Sequence, residues 1–189
     1  MILPVLQYGH PVLRQKGARI EAITPAITQL IADMLETMYA AAGIGLAAQQ
    51  VGQALQLTVL DVRDVKDRPS TLELGGQPAD VSEAMPLVLI NPEVKPAGEP
   101  VSGPEGCLSF PEIYQDITRA ESVEVTALNA KGARIQFKAG GLLARAIQHE
   151  ADHLNGILFI DRMSSPAKQA LKPQLEALQA ATKAALPKG

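Results

Sequence analysis

The stretch Gln148-His149-Glu150-Ala151-Asp152-His153 decides how the chain is to be read. It contains His-Glu-x-x-His. Residues four apart on an α-helix share a face, so His149 and His153 can offer two imidazoles to one metal ion. Glu150, next in line, can serve as general base toward a water at that metal. The surroundings favour a helix. Leu142, Leu143, Ala146, Ile147 and Leu154 recur at helical spacing, Gly140-Gly141 opens the segment, and Asn155-Gly156 supplies a stop. A catalytic metal commonly takes three protein ligands and keeps a position open. The third ligand therefore carries the functional reading.

Downstream candidates are few. The longer pattern His-Glu-x-x-His-x-x-Gly-x-x-His is followed as far as Gly156 and then fails, because Phe159 stands where the last histidine would be. The only later carboxylates are Asp161 and Glu176. Either one as third ligand would make the chain a zinc endopeptidase. Upstream lies Cys107, the only cysteine, between Gly106 and Leu108. A lone cysteine is by default a small buried residue, but a thiolate ligand is what the His-Glu-x-x-His segment lacks.

Composition narrows the function class. With 189 residues, 47% of them apolar, the chain suits one globular domain over residues 1–189. A net charge of −3 argues against DNA or general nucleic-acid binding. A single thiol fits a reducing, cytoplasmic setting. No apolar run approaches a membrane span, and Met1–Leu6 lacks the basic lead-in of a signal peptide.

Along the chain, residues 1–20 read as an irregular entry. His10, in a turn beside Pro11, suits capping rather than metal binding. Thr24-Pro25 predicts a helix start, and Ile27, Leu30, Ile31, Met34, Leu35 and Met38 form its apolar stripe up to about Ala42-Gly43. The run Gly43–Gly52 reads as a small-residue loop that lets backbone approach a ligand, with Gln49 and Gln50 as possible amide donors. Leu57–Val62 predicts a strand, and residues 64–86 a long surface insertion without regular structure. Leu87–Ile90 predicts a strand closed by Asn91-Pro92, Val94–Val101 an edge or irregular one, and Cys107 a place on a loop or short strand. Ser122–Leu128 and Arg134–Lys138 predict a hairpin across Asn129-Ala130-Lys131-Gly132. Residues 164–189 form a tail beginning at Ser164-Ser165-Pro166, helical but interrupted at Pro173. Its Lys168, Lys172, Lys183 and Lys188 face Glu176 alone, which suggests a weakly basic arm for a large anionic partner.

Three segments in this order resemble the motifs of the peptide deformylase family: Gly43-Ile44-Gly45-Leu46-Ala47-Ala48-Gln49-Gln50, Glu105-Gly106-Cys107-Leu108-Ser109, and Gln148-His149-Glu150-Ala151-Asp152-His153. The resemblance extends from Gly9-His10-Pro11-Val12-Leu13-Arg14 to a C-terminal helix of the Gram-negative-like type. Two departures stand out. The 64–86 insertion exceeds what the compact bacterial form needs. Tyr114 stands where close bacterial relatives often carry an arginine, which bears on side-chain preference rather than on chemistry. The resemblance implies an α+β fold of mostly antiparallel strands around the metal-bearing helix. It implies a metal-dependent hydrolase that removes the formyl group from N-formylmethionine of nascent chains. The implied ligands are Cys107, His149 and His153. Glu150 would move the proton, and Gln50 and the Leu108 N–H would stabilise the oxyanion. Ile44, Gly45 and Gly106 would bind the peptide backbone. Fe(II) is the implied ion, with Zn(II), Ni(II) or Co(II) as replacements on isolation. N-formylmethionyl peptides and the ribosome near its exit tunnel are the implied partners.

Overall fold

The computed structural model describes residues 1–188. Seven strands form one sheet in which every pairing is antiparallel. They are β1 (Gly45–Ala47), β2 (Leu57–Leu60), β3 (Ser70–Leu74), β4 (Gln77–Ala79), β5 (Leu87–Cys107), β6 (Phe110–Leu128) and β7 (Arg134–Gly140), in the order β1-β2-β5-β6-β7-β3-β4. Four α-helices accompany them: α1 (Pro25–Ala40), α2 (Val81–Ala84), α3 (Gly141–Leu154) and α4 (Ser165–Ala185). The α+β class that the resemblance implies is the architecture observed.

Side-chain alternation along β2 and β5 divides two packing layers. Leu57, Val59, Val88 and Ile90 join Ile31, Met34 and Met38 of α1. Leu60, Leu87 and Leu89 point the other way and join Leu142, Leu143, Ala146 and Ile147 of α3. The period of two in the strands and the helical stripes fit each other. Replacing a fully buried member such as Ile147 with alanine costs about 2–5 kcal/mol. A third cluster gathers Phe110, Ile113 and Ile117 of β6 with Leu13, Phe159 and Leu175 of α4.

Helix α3 is fixed at both ends. The carbonyl of Pro69 accepts from Leu142 N at 3.0 Å, and Ser70 Oγ accepts from Leu143 N at 3.0 Å. Two donors of the first turn are thereby satisfied. At the far end Gly156 has φ +74; its N–H reaches the His153 carbonyl and that of Ile157 reaches Asp152. This is the paired bonding of a glycine-terminated helix, as Asn155-Gly156 predicted.

Several local expectations are corrected. Residues 64–86 do not form an irregular surface loop. They hold the β3–β4 hairpin and α2, and β3 pairs with β7. The turn is Gly75-Gly76, both at positive φ, which fits the twist of a tight hairpin. Only Leu72 of β3 is buried, so an apolar pattern was too thin to read. Asn91-Pro92 does not end the strand. Asn91 takes φ +51 at a register shift, bonds both backbone groups of Ile20, and β5 continues. Val94–Val101 lies inside that strand and pairs with β6 alone, since β2 reaches only to Ile90. The expected loop 43–52 contains β1 and a one-turn 3₁₀ helix, Ala48–Val51. Pro173 does not interrupt α4, which runs on through it.

The long hairpin β5–β6 turns over Leu108-Ser109, with Cys107 paired to Phe110. Cys107 thus sits at the end of a 21-residue strand, not on a loop. The ribbon tip lies against α3, so the thiol and the histidines meet.

Candidate active site

Cys107 Sγ is 3.4 Å from His153 Nε2. The ligand atoms of Cys107, His149 and His153 all lie within 4.8 Å of one another. Bonds of about 2.0–2.3 Å in a tetrahedral arrangement put neighbouring ligand atoms about 3.5 Å apart, so the spacing suits one divalent ion. The chemistry of the donors agrees. His149 Nδ1 is 2.8 Å from Glu105 Oε1, which leaves Nε2 free for a metal. Burial opposes a proton on His149, yet its contacts with Cys107 and Glu105 raise its pKa well above the usual range. The same neighbours favour a cation at that place. Burial lowers the pKa of His153, keeping it in the neutral form that ligates.

Glu105 is held by more than the histidine. Arg119 donates to it at 2.6 and 2.9 Å and Arg145 at 2.8 Å. Arg119 also binds Asp152 at 2.9 Å, and Asp152 is held in turn by the half-exposed Arg162. A chain of alternating charges thus runs from the surface to the imidazole of His149. Sequence reading assigned no role to Glu105, Arg119, Arg145, Asp152 or Arg162. One signal was present: Arg145 interrupts the apolar stripe of α3, four residues before His149 and on its face.

Glu150 is buried opposite this cluster. Burial raises its pKa to about 7, with Thr58 Oγ1 at 3.4 Å as the near polar contact. A carboxyl poised there can exchange protons at neutral pH. Gly45 abuts it: a Cβ at Gly45 would lie 2.7 Å from Glu150 Oε1. Gln50 is pinned by its Oε1, which accepts from Ala47 N at 2.9 Å. Its Nε2 faces Ser109 Oγ at 3.2 Å and Cys107 Sγ at 3.6 Å. Gln49, the other candidate amide, points away and donates to the carbonyls of Gln15 and Leu154.

A cleft of about 500 Å³ opens over these groups, and Ile44, Gly45, Gln50, Gly106, Cys107 and Leu108 are on its walls. Tyr114 stands at its rim, 72% exposed, with its ring over Gly106. The rival ligands are elsewhere. Asp161 pairs with Arg14, Glu176 is exposed beside Lys172, and His10 caps the turn Pro11–Arg14. The third ligand of an endopeptidase is thus missing among the described residues.

The profile of the family described as polypeptide deformylase matches residues 2–169. The chain belongs to the polypeptide deformylase family. A peptide deformylase of Methylacidiphilum infernorum is 47% identical over 179 residues, covering 95% of this chain and 94% of the relative. Two crystal structures of family members superpose closely. The peptide deformylase of Legionella pneumophila has a TM-score of 0.79 at 33% identity, covering 99% of this chain and all of that one. That of Synechococcus elongatus, in complex with actinonin, has a TM-score of 0.75 at 40% identity, covering 96% and 86%. The family is metal-dependent, and the Cys107, His149 and His153 group is the candidate for that metal here.

Proposed function

We propose that this chain is a peptide deformylase that hydrolyses the formamide bond of N-formylmethionine on newly made proteins, releasing formate and a free amine. The convergence of Cys107 with His149 and His153, with Glu150 buried alongside, carries this reading. Cys107, His149 and His153 would hold one divalent ion. When bound, it supplies Lewis acidity toward the formyl oxygen and toward water.

The remaining work falls to the chain's own groups. Glu150 takes a proton from the attacking water and returns it to the departing amine, which its near-neutral pKa suits. The Gln50 amide and the Leu108 N–H donate to the oxyanion of the tetrahedral intermediate. Gln50 is braced for this by Ala47 N. Ile44, Gly45 at the start of β1 and Gly106 near the end of β5 line the cleft and bind the substrate backbone as an added strand. Glu105 keeps the tautomer of His149 fixed.

Fe(II) is the ion proposed for the cell, with Zn(II), Ni(II) or Co(II) on isolation. Affinity order alone favours zinc over ferrous iron, so supply decides. The proposed setting is the cytoplasm, close to the ribosomal exit. Helix α4 supports this: Leu175 is its only buried residue, and Lys168, Lys172 and Lys183 are left toward solvent against Glu176. Deleting residues 166–189 should weaken co-sedimentation with ribosomes; unchanged co-sedimentation would remove that assignment. The activity is tested with anaerobic, Fe(II)-loaded protein and a formyl-Met peptide. Formate is the expected product, and none from fully loaded protein would refute the reading.

A further inference from the structure

Of the charged groups on the cleft, one is both partly buried and without a partner. Glu105, Arg145 and His149 satisfy one another, and Glu150 contacts Thr58. Glu112 is exposed on the rim and solvated. Arg68 also lines the cleft and is half-buried. Among the described residues, the ion pairs engage Arg14, Arg63, Arg119, Arg145 and Arg162; of the arginines they leave, Arg19, Arg68 and Arg134, Arg68 alone lines the cleft. A partly desolvated guanidinium with no anion beside it gains from one that arrives.

Its place is set by the fold. The next two residues, Pro69 and Ser70, are bonded to the first turn of α3 through Leu142 and Leu143. Leu142, Arg145, Ala146 and His149 form one face of α3 along the cleft. The seven steps from Leu142 to His149 rise about 10 Å. Arg68 therefore stands at one end of the cleft and the candidate metal ligands at the other. An extended peptide advances about 3.3 Å per residue, so the same distance spans about three residues.

Resting on the deformylase reading, we propose that Arg68 binds a carboxylate carried by the second or third residue of the formylated chain. Substrates with Asp or Glu there are then preferred. Formylation removes the charge of the N-terminal amine, so the first charge a nascent chain presents is a side chain just beyond methionine. Arg68 is positioned to read it.

The test compares kcat/KM for C-terminally amidated formyl-Met-Xaa-Ala and formyl-Met-Ala-Xaa peptides with Xaa as Glu or Gln. Amidation removes the competing terminal carboxylate. The wild-type holoenzyme should favour Glu over Gln by about threefold to tenfold at one of the two positions, as a partly screened ion pair does. Arg68→Ala should bring that ratio to about one, Arg68→Glu should invert it, and Arg68→Lys should keep part of it. A wild-type ratio of one at both positions would overturn the assignment, and so would a preference that survives Arg68→Ala. Formate from the Gln peptides with no Glu preference defeats the Arg68 assignment alone. No formate from any peptide defeats the deformylase reading, and this inference with it.

Discussion

Two carboxylates flank the same histidine and have opposite fates. Both Glu105 and Glu150 are buried. Burial pushes each toward protonation, but for Glu105 the bonds from His149 and Arg119 outweigh it and hold the pKa at about 2. Glu150 has no arginine against it, and burial leaves it at about 7. One wall of the cleft is saturated with partners and acts as a fixed brace. The other is left short of them and can trade protons. Burial alone does not bring a carboxyl to titrate near neutral pH; burial without matching charges does.

The contrast can be broken at either wall. Glu150→Gln keeps the shape and removes the titratable group. Formate release should fall by about 100-fold to 10,000-fold, while metal content measured on the same preparation stays at the wild-type level. Loss of metal in step with activity would move Glu150 from proton transfer to metal retention. Gln50→Ala removes the proposed oxyanion donor without touching either carboxylate. The expected cost is about 100-fold to 1,000-fold in kcat with little change in KM. An effect confined to KM would make Gln50 a binding group only.

Glu105→Gln attacks the brace. Two buried arginines lose their shared anion, so unfolding in urea should show about 3–5 kcal/mol of lost stability. Metal affinity in competition with a chelator should drop by about 10-fold to 100-fold. If stability falls and affinity does not, Glu105 serves the fold alone. The smallest effect is expected at the outer end of the charge chain. Arg162→Ala removes a half-exposed partner of Asp152, and its cost should stay below about 1 kcal/mol.

The two walls also differ in how far they could be read beforehand. The moving parts lie close together in sequence: His149, Glu150 and His153 sit on one helix turn, and the apolar stripe around them announces the helix. Cys107 followed from being the only thiol beside a site short of a ligand. The brace was not legible in the same way. Glu105 gains its meaning from Arg119 on β6 and Arg145 on α3, and only the β5–β6 pairing and the packing of α3 bring the three together. The fold shows the same division. Segments with strong periodicity, α1, α3 and the β6–β7 turn, were legible. The β3–β4 hairpin was not, because a glycine pair and one buried leucine carry it. Pro173 misled for a different reason: Leu171, Leu175 and Leu178 on either side of it pack into the third cluster, and the helix runs on past the missing N–H.

The most direct test of the account is the electronic spectrum of anaerobically prepared, cobalt-loaded protein, wild type beside Cys107→Ser. One ion bound through Cys107, His149 and His153 predicts a thiolate-to-cobalt charge-transfer band at one equivalent of metal, absent from the variant. A stoichiometric cobalt site with no such band, or with the same spectrum in Cys107→Ser, would contradict it.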